Sequence, residues 1–225
     1  MADMTKPAPP SHAPLAEPHS APTTVPTRVP TPWPPSLLGL NVRKIHTEFV
    51  AKMERQIFQN QTRPLDKHAV ISLREITAQT VRIISLLDVA PGQDGLVAPN
   101  AFSIAQAHFH PEAWIRAIYA DEIPVGFVML EDWSQVESAE PQLYFGVPYV
   151  SLWRFMIDAR YQKFGFGAQA LNLLIAHSKT RPGAKTMLLS FVPAEKNPEA
   201  FYQRFGFVRT GEEDEGELIM ALKLV

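Results

Sequence analysis

Residues 153–167 read WRFMIDARYQKFGFG, and this stretch decides how the rest of the chain is understood. An apolar run ends at Asp158, a short turn follows, and Gln162-x-x-Gly165-x-Gly167 opens a helical pattern. That pattern runs through Leu171, Leu174 and Ile175 and stops at Pro182-Gly183. Strand, glycine turn and helix in this order make a pyrophosphate cradle. Glycines let the backbone approach phosphate oxygens with no Cβ in the way, successive N–H groups point into the concavity, and the positive end of the helix adds attraction. A purely structural turn is the alternative for the segment in isolation. A dinucleotide fingerprint needs three early glycines and a Walker loop needs Gly-Lys-Ser/Thr; neither is present here.

The flanks of this segment read as a mixed α/β domain. Residues 149–158 (YVSLWRFMID) carry apolar side chains on both faces, as a central strand does, and 186–192 (TMLLSFV) form a second buried strand. A short helix follows around 199–205, then a terminal hairpin over 207–224. Upstream, 70–76 (VISLREI) alternate like a strand, and 78–89 show a helical stripe through Val81, Ile84 and Leu87. Asn100 is placed to cap a helix reaching about His108. Residues 117–130 are two apolar runs around Asp121 and Glu122, the pattern of a hairpin.

The first third of the chain is different. Residues 6–35 have a proline every few positions, so they can sustain neither a helix nor a hydrogen-bonded ladder. The expected organisation is a disordered tail over 1–36, an amphipathic helix and linker over 37–66, and a domain over 67–225. The helix follows from Val42, Ile45, Phe49, Met53 and Ile57, spaced by threes and fours; this stripe either docks on the domain or pairs with a second copy, a possible homodimer. A transit peptide would be rich in arginine, and this tail has only Arg28.

Composition removes other classes. A formal charge of −2 gives no electrostatic case for nucleic acid or an acidic membrane, and no stretch approaches the ~20 apolar residues of a bilayer span. With no cysteine, disulfides, thiolate metal sites and a cysteine nucleophile are excluded; a reducing cytoplasm fits most easily. His108 and His110 do not match a zinc spacing, and no metal is expected.

Two blocks together resemble the GNAT N-acetyltransferase superfamily: the Gln-x-x-Gly-x-Gly signature at 162–167, and FYQRFGF at 201–207, similar to that superfamily's late Tyr-x-x-x-Gly-Phe segment. Further stretches, LWRFMID (152–158), VAPNAFSIAQAHFHPE (97–112), VPAEKNPEAFYQRFGF (192–207) and TGEEDEGELIMAL (210–222), look like its diamine/spermidine acetyltransferase branch. The resemblance covers 70–225. It implies a mostly antiparallel sheet whose two central strands splay apart, flanked by helices. It also implies acetyl-CoA as co-substrate and a small amine, such as spermidine, as acceptor. Phe155, Met156 and Ile157 would bind the thioester arm through their backbone, and Gln162, Lys163, Phe164, Gly165, Phe166, Gly167 and Ala168 would hold the pyrophosphate. Asn197 is a further cofactor contact, and Tyr202 takes the family's general-acid position.

There are departures from the family pattern. Phe164 stands where many relatives have a basic residue, and the central strand offers no mid-strand glutamate as general base. Glu75 and Glu112, acting through water or contacting an ammonium group, are the base candidates; a reaction with no dedicated base is the alternative. Asp121, Glu122, Glu131 and Asp132 complete the supply of carboxylates for a polycation, while 212–217 read as a polar turn. A non-catalytic CoA-binding sensor, or acetylation of protein N-termini or antibiotics, are the competing functions.

Overall fold

The computed structural model describes residues 48, 51–52, 65–93, 95–134, 148–194 and 197–224. The expected tail and most of the expected helix and linker before residue 66 lie outside the described residues, although Glu48, Ala51 and Lys52 are helical.

Seven strands form one open sheet: β1 (Ile71–Arg74), β2 (Ala113–Ala120), β3 (Ile123–Asp132), β4 (Tyr149–Ile157), β5 (Thr186–Phe191), β6 (Val208–Asp214) and β7 (Glu217–Lys223). Their order is β1-β2-β3-β4-β5-β7-β6, and only the β4–β5 neighbours are parallel. From residue 65 onward the described residues also form four α-helices, α1 (Val81–Ile84), α2 (Asn100–Ala107), α3 (Phe166–Lys179) and α4 (Glu199–Gln203), and a 3-10 turn at Ala159–Tyr161. The fold is mixed α/β with a mostly antiparallel sheet, as the sequence led us to expect.

Burial explains why the strands read as they do. On one face, Ala170, Leu171 and Leu174 of α3 share a core with Val128, Leu130, Val150 and Met187. On the other, Ile83 and Ile84 of α1 pack with Ala117, Phe127, Met129 and Met156. β3 is therefore covered on both faces, and its apolar run lacks polar alternation until Glu131 and Asp132.

Two expectations are corrected. The helix expected over 78–89 is only four residues long, because the chain leaves it through tighter turns at Leu86 and Leu87. The Asp88 carbonyl then accepts from Ala159 N–H at 2.8 Å, and Asp88 N–H donates to the Asp158 carboxylate, ties that a continued helix would lose. Asn100 is not a cap: Pro99 holds that position, and the Asn100 side chain, 3% exposed, donates to the carbonyl of Ile84 at 2.9 Å. It is a second donor to that carbonyl, which also accepts from Leu87 N–H at 3.3 Å, and it joins the two helices.

Two local features shape the middle of the sheet. The β3–β4 register passes from Leu130↔Leu152 to Met129↔Arg154, so Trp153 is an extra residue that bulges β4. Farther along, β4 runs so close to Gly126 that a Cβ there would lie 2.4 Å from the carbonyl oxygen of Met156. Only glycine fits that position.

Candidate active site

β4 and β5 pair from Tyr149↔Thr186 to Leu152↔Leu189 and no further. Past the bulge, Arg154–Ile157 keep β3 as their only sheet neighbour among the described residues, and a cavity of about 1160 Å³ opens between the parted strands. The bulge at Trp153 and the loss of pairing after Leu152 coincide, which makes this point the fork of the sheet.

Every cofactor residue expected from the sequence lines this cavity except Phe164, which stacks on Phe166 with ring centroids 5.4 Å apart. Gly165 has φ +85°, a left-handed conformation that glycine adopts without strain. No side chain caps the first turn of α3, so its backbone N–H groups face the loop. The loop is braced from behind. Gln162 Nε2 donates to Gln93 Oε1 at 2.8 Å and to the Ile157 carbonyl at 3.0 Å. Asp158, 3% exposed, accepts from the N–H groups of Asp88 and Arg160 and from the Arg160 guanidinium. Side chains thus fix the loop while backbone amides are left to meet an anion, an arrangement that suits a pyrophosphate.

Tyr202 also lines the cavity, edge-on to Phe201 and Phe207. Burial pushes its phenol well above the usual 10, so it stays neutral. Asn197 borders the cavity too, but its side chain serves the loop before α4: Oδ1 accepts from Glu199 N–H and Nδ2 donates to the Ala194 carbonyl, each at 3.0 Å.

A second cavity, about 680 Å³, meets the first at the fork, where both are bordered by Trp153, Arg154, Ser190 and Glu217. Its wall carries Glu131, Asp214, Glu215 and Glu217 against one cation, Arg154. Ser190 Oγ donates to Glu217 at 2.5 Å across β5 and β7. Glu131 is pushed up from 4.5 to about 6, chiefly by burial and next by the charge of Glu112; His110, a hydrogen bond from Trp133 and Arg154 act in the opposite direction. Burial lowers Arg154, which Glu217 and Glu131 oppose.

The two base candidates fare differently. Glu75 is exposed, 3.6 Å from Arg116 Nη2, and borders neither cavity. Glu112 lies behind Glu131, its side chain 11% exposed and Oε1 2.8 Å from His110 Nδ1. One ligand-type atom each from His110, Glu112 and Glu131 lie within 4.8 Å of one another, the one such trio among the described residues. His108 is not part of it. Of the other expected carboxylates, Asp121 accepts from Val70 N–H, Glu122 pairs with Arg74, and Asp132 pairs with Arg181.

The segment read as a polar turn is the exposed turn of the β6–β7 hairpin, and Asp214, Glu215 and Glu217 from it also border the second cavity. Trp153, Arg154, Ser190 and Glu217 were not anticipated. They come from three strands, and nothing in their spacing joins them. The one available signal was Glu131, an acid that ends a fully buried strand.

Comparison with known proteins agrees with this geometry. The model of the acetyltransferase (GNAT) family matches residues 83–207. A spermine/spermidine N(1)-acetyltransferase of Bacillus subtilis is 41% identical over 72 residues, 32% of this chain and 47% of that protein. The chain thus spans about half the length of the curated relative it matches. An acetyltransferase from Thermus thermophilus superposes with a TM-score of 0.53 at 15% identity, covering 68% of this chain and 97% of the other. An aminoglycoside 6′-N-acetyltransferase complexed with coenzyme A gives 0.52 at 15% identity, covering 69% and 97%. At such identities the likeness to solved structures shows the fold alone. The family match spans more than half the chain, including the fork, the glycine loop and Tyr202; the chain belongs to the acetyltransferase (GNAT) family.

Proposed function

We propose that the protein is an N-acetyltransferase that moves the acetyl group of acetyl-CoA to a primary amine of a small polycation, a polyamine such as spermidine. The observation that carries this reading is the pair of cavities meeting at the fork, one framed by backbone amides and the other by four carboxylates and one arginine. The 41% identical stretch shared with a spermine/spermidine acetyltransferase supports the polyamine.

In this reading the 162–168 loop holds the pyrophosphate, and the free edge of β4 takes the pantetheine arm through Phe155, Met156 and Ile157. The thioester then sits at the fork. Backbone donors beside the Trp153 bulge stabilise the oxyanion of the tetrahedral intermediate. Ammonium groups of the acceptor pair with Asp214, Glu215 and Glu217; the first two are exposed and act through a screened field, and half-buried Glu217 attracts more strongly. Tyr202 donates a hydrogen bond to the departing sulfur. A thiol ordinarily titrates near 8.5. Burial holds the phenol above 10, so full proton transfer to the thiolate is uphill and water completes it.

The test is CoA release with spermidine, spermine, an aminoglycoside and a short peptide bearing a free N-terminus. Polyamines should give the highest kcat/KM, with KM rising as salt screens the acidic wall. Faster turnover of the aminoglycoside or peptide would reassign the acceptor. Tight CoA binding without release to any amine would make the protein a CoA-binding sensor.

A further inference from the structure

Acetylation of an alkylammonium has a proton balance that the site must meet. The acceptor enters as R–NH3⁺ and leaves as a neutral amide with one hydrogen on nitrogen, so two protons depart. One is matched by the proton the CoA thiolate gains as the C–S bond breaks. The other must reach solvent from the fork, and it must leave first, because the nitrogen has no lone pair to form the C–N bond until it does. β4 supplies no carboxylate for this step.

We propose that Glu131 removes the first proton from the acceptor ammonium, and that Glu112 and His110 carry it from Glu131 to solvent. Glu131 is the only member of the trio on the cavity wall. It pairs across the sheet with Ser151, two residues before the bulge, and Ser151 lines the same cavity, so the carboxylate faces the acceptor side of the fork. Behind it, exposure increases outward: the Glu112 side chain is 11% exposed and His110 38%. His110 Nδ1 lies 2.8 Å from Glu112, and the His110 ring stands edge-on to Trp153, with centroids 5.1 Å apart. The relay therefore begins at Glu131 on the cavity wall and ends at His110, which packs on Trp153 and is open to water. Charged groups facing Glu131 are Glu112 and His110 from the turn before β2, Arg154 from β4, and Asp214, Glu215 and Glu217 from the β6–β7 hairpin. Glu131 is the catalytic residue here; Glu112 and His110 act through it. This assignment rests on the amine-acetylation reading above.

The experiment compares full-length wild type, Glu131→Gln and His110→Gln with two acceptors. One is spermidine, protonated at neutral pH. The other is a weakly basic amine already neutral there. Glu131→Gln should lose about 10²–10⁴-fold in kcat with spermidine at pH 7, the usual worth of a general base. It should stay within about threefold of wild type with the neutral amine, and recover with spermidine as pH approaches the amine's own pKa. Wild type should show an acidic limb near 6 in kcat/KM that the variant lacks. His110→Gln should lose less, and concentrated imidazole buffer should restore it. Equal losses with both acceptors would overturn the relay and make Glu131 structural; retained spermidine turnover would overturn it as well. Loss of wild-type turnover on chelation would assign the trio to a metal instead. Glu131→Asp, with acetyl-CoA binding measured by calorimetry, keeps the comparison valid if Glu131→Gln folds poorly. Failure of the acetylation reading is distinguishable, since wild type would then release no CoA with either amine, overturning both.

Discussion

The two cavities meet at one fork yet are built from different materials. The larger presents backbone: a left-handed glycine, the uncapped first turn of α3, and a strand edge without a neighbour. The smaller presents side chains, with four carboxylates and one guanidinium drawn from β3, β4 and the β6–β7 hairpin. Backbone donors hold a fixed anion by geometry, whatever the surrounding residues, whereas a wall of carboxylates selects by charge and responds to pH and salt. Mutations should separate the two sides accordingly: one should fail through shape, the other through charge.

On the backbone side, the largest effect is expected at Tyr202, which lines the larger cavity. Tyr202→Phe keeps the ring packed against Phe201 and Phe207 and removes only the hydroxyl. A kcat loss near the low end of the 10²–10⁴ range, about 10²-fold, is expected, because the phenol donates a hydrogen bond without fully transferring its proton. Acetyl-CoA affinity should hardly change. The buried phenol titrates above 10, so wild type should show no basic limb from this residue at ordinary assay pH. A limb near 9 that disappears in the variant would break this account, as would turnover within about threefold of wild type.

Next comes the loop. A Cβ at Gly165 would meet nothing within 4 Å, so the space is open and the demand is conformational: φ +85° strains any β-branched residue. Such strain costs on the order of 1–3 kcal/mol, and the loop would relieve it by turning its amides away. Gly165→Val should therefore weaken acetyl-CoA binding by roughly tenfold or more in calorimetry while circular dichroism stays native. Undiminished affinity would place the pyrophosphate elsewhere. Gly167 makes a useful contrast. A Cβ there would sit 3.5 Å from the Ile157 side chain, an ordinary contact, so Gly167→Ala should bind nearly as wild type does.

The same division explains what was legible in the sequence. Residues 153–167 are contiguous, and Gln162, Gly165 and Gly167 carry their meaning in local spacing, so strand, loop and helix could be read together. The strands were readable for a related reason, since burial on both faces leaves an unbroken apolar run. The acidic wall has no such local code. Glu131 and Glu217 are 86 residues apart in the chain and come together only through the sheet order. Their neighbours mislead, because Asp121, Glu122 and Asp132 are equally acidic yet tie down a turn or pair with arginine. Asn100 failed similarly: its local pattern suggested a cap, and a tertiary carbonyl claimed its side chain.

The smallest effect is the most discriminating, because activity and stability should move in opposite directions. Glu131 titrates near 6 in the folded protein against 4.5 ordinarily, so the native state binds its proton more tightly than the unfolded chain does. Below about 4.5 the group is neutral in both states and burial costs it nothing. As pH rises through 4.5 to 6 the unfolded chain ionises first, and above 6 the native protein carries the full penalty of a buried carboxylate beside Glu112. By the linkage relation that penalty is about 1–2 kcal/mol. Glu131→Gln removes the charge and keeps an acceptor for the Trp133 hydrogen bond. At pH 7 it should raise Tm by a few degrees, as expected for this free energy in a domain of this size. At pH 4 the two proteins should melt together. A residue present only for packing would lose stability on substitution at both pH values. A carboxylate kept at a cost to the fold, whose removal stabilises the protein while stopping turnover of a protonated amine, is held there for its chemistry.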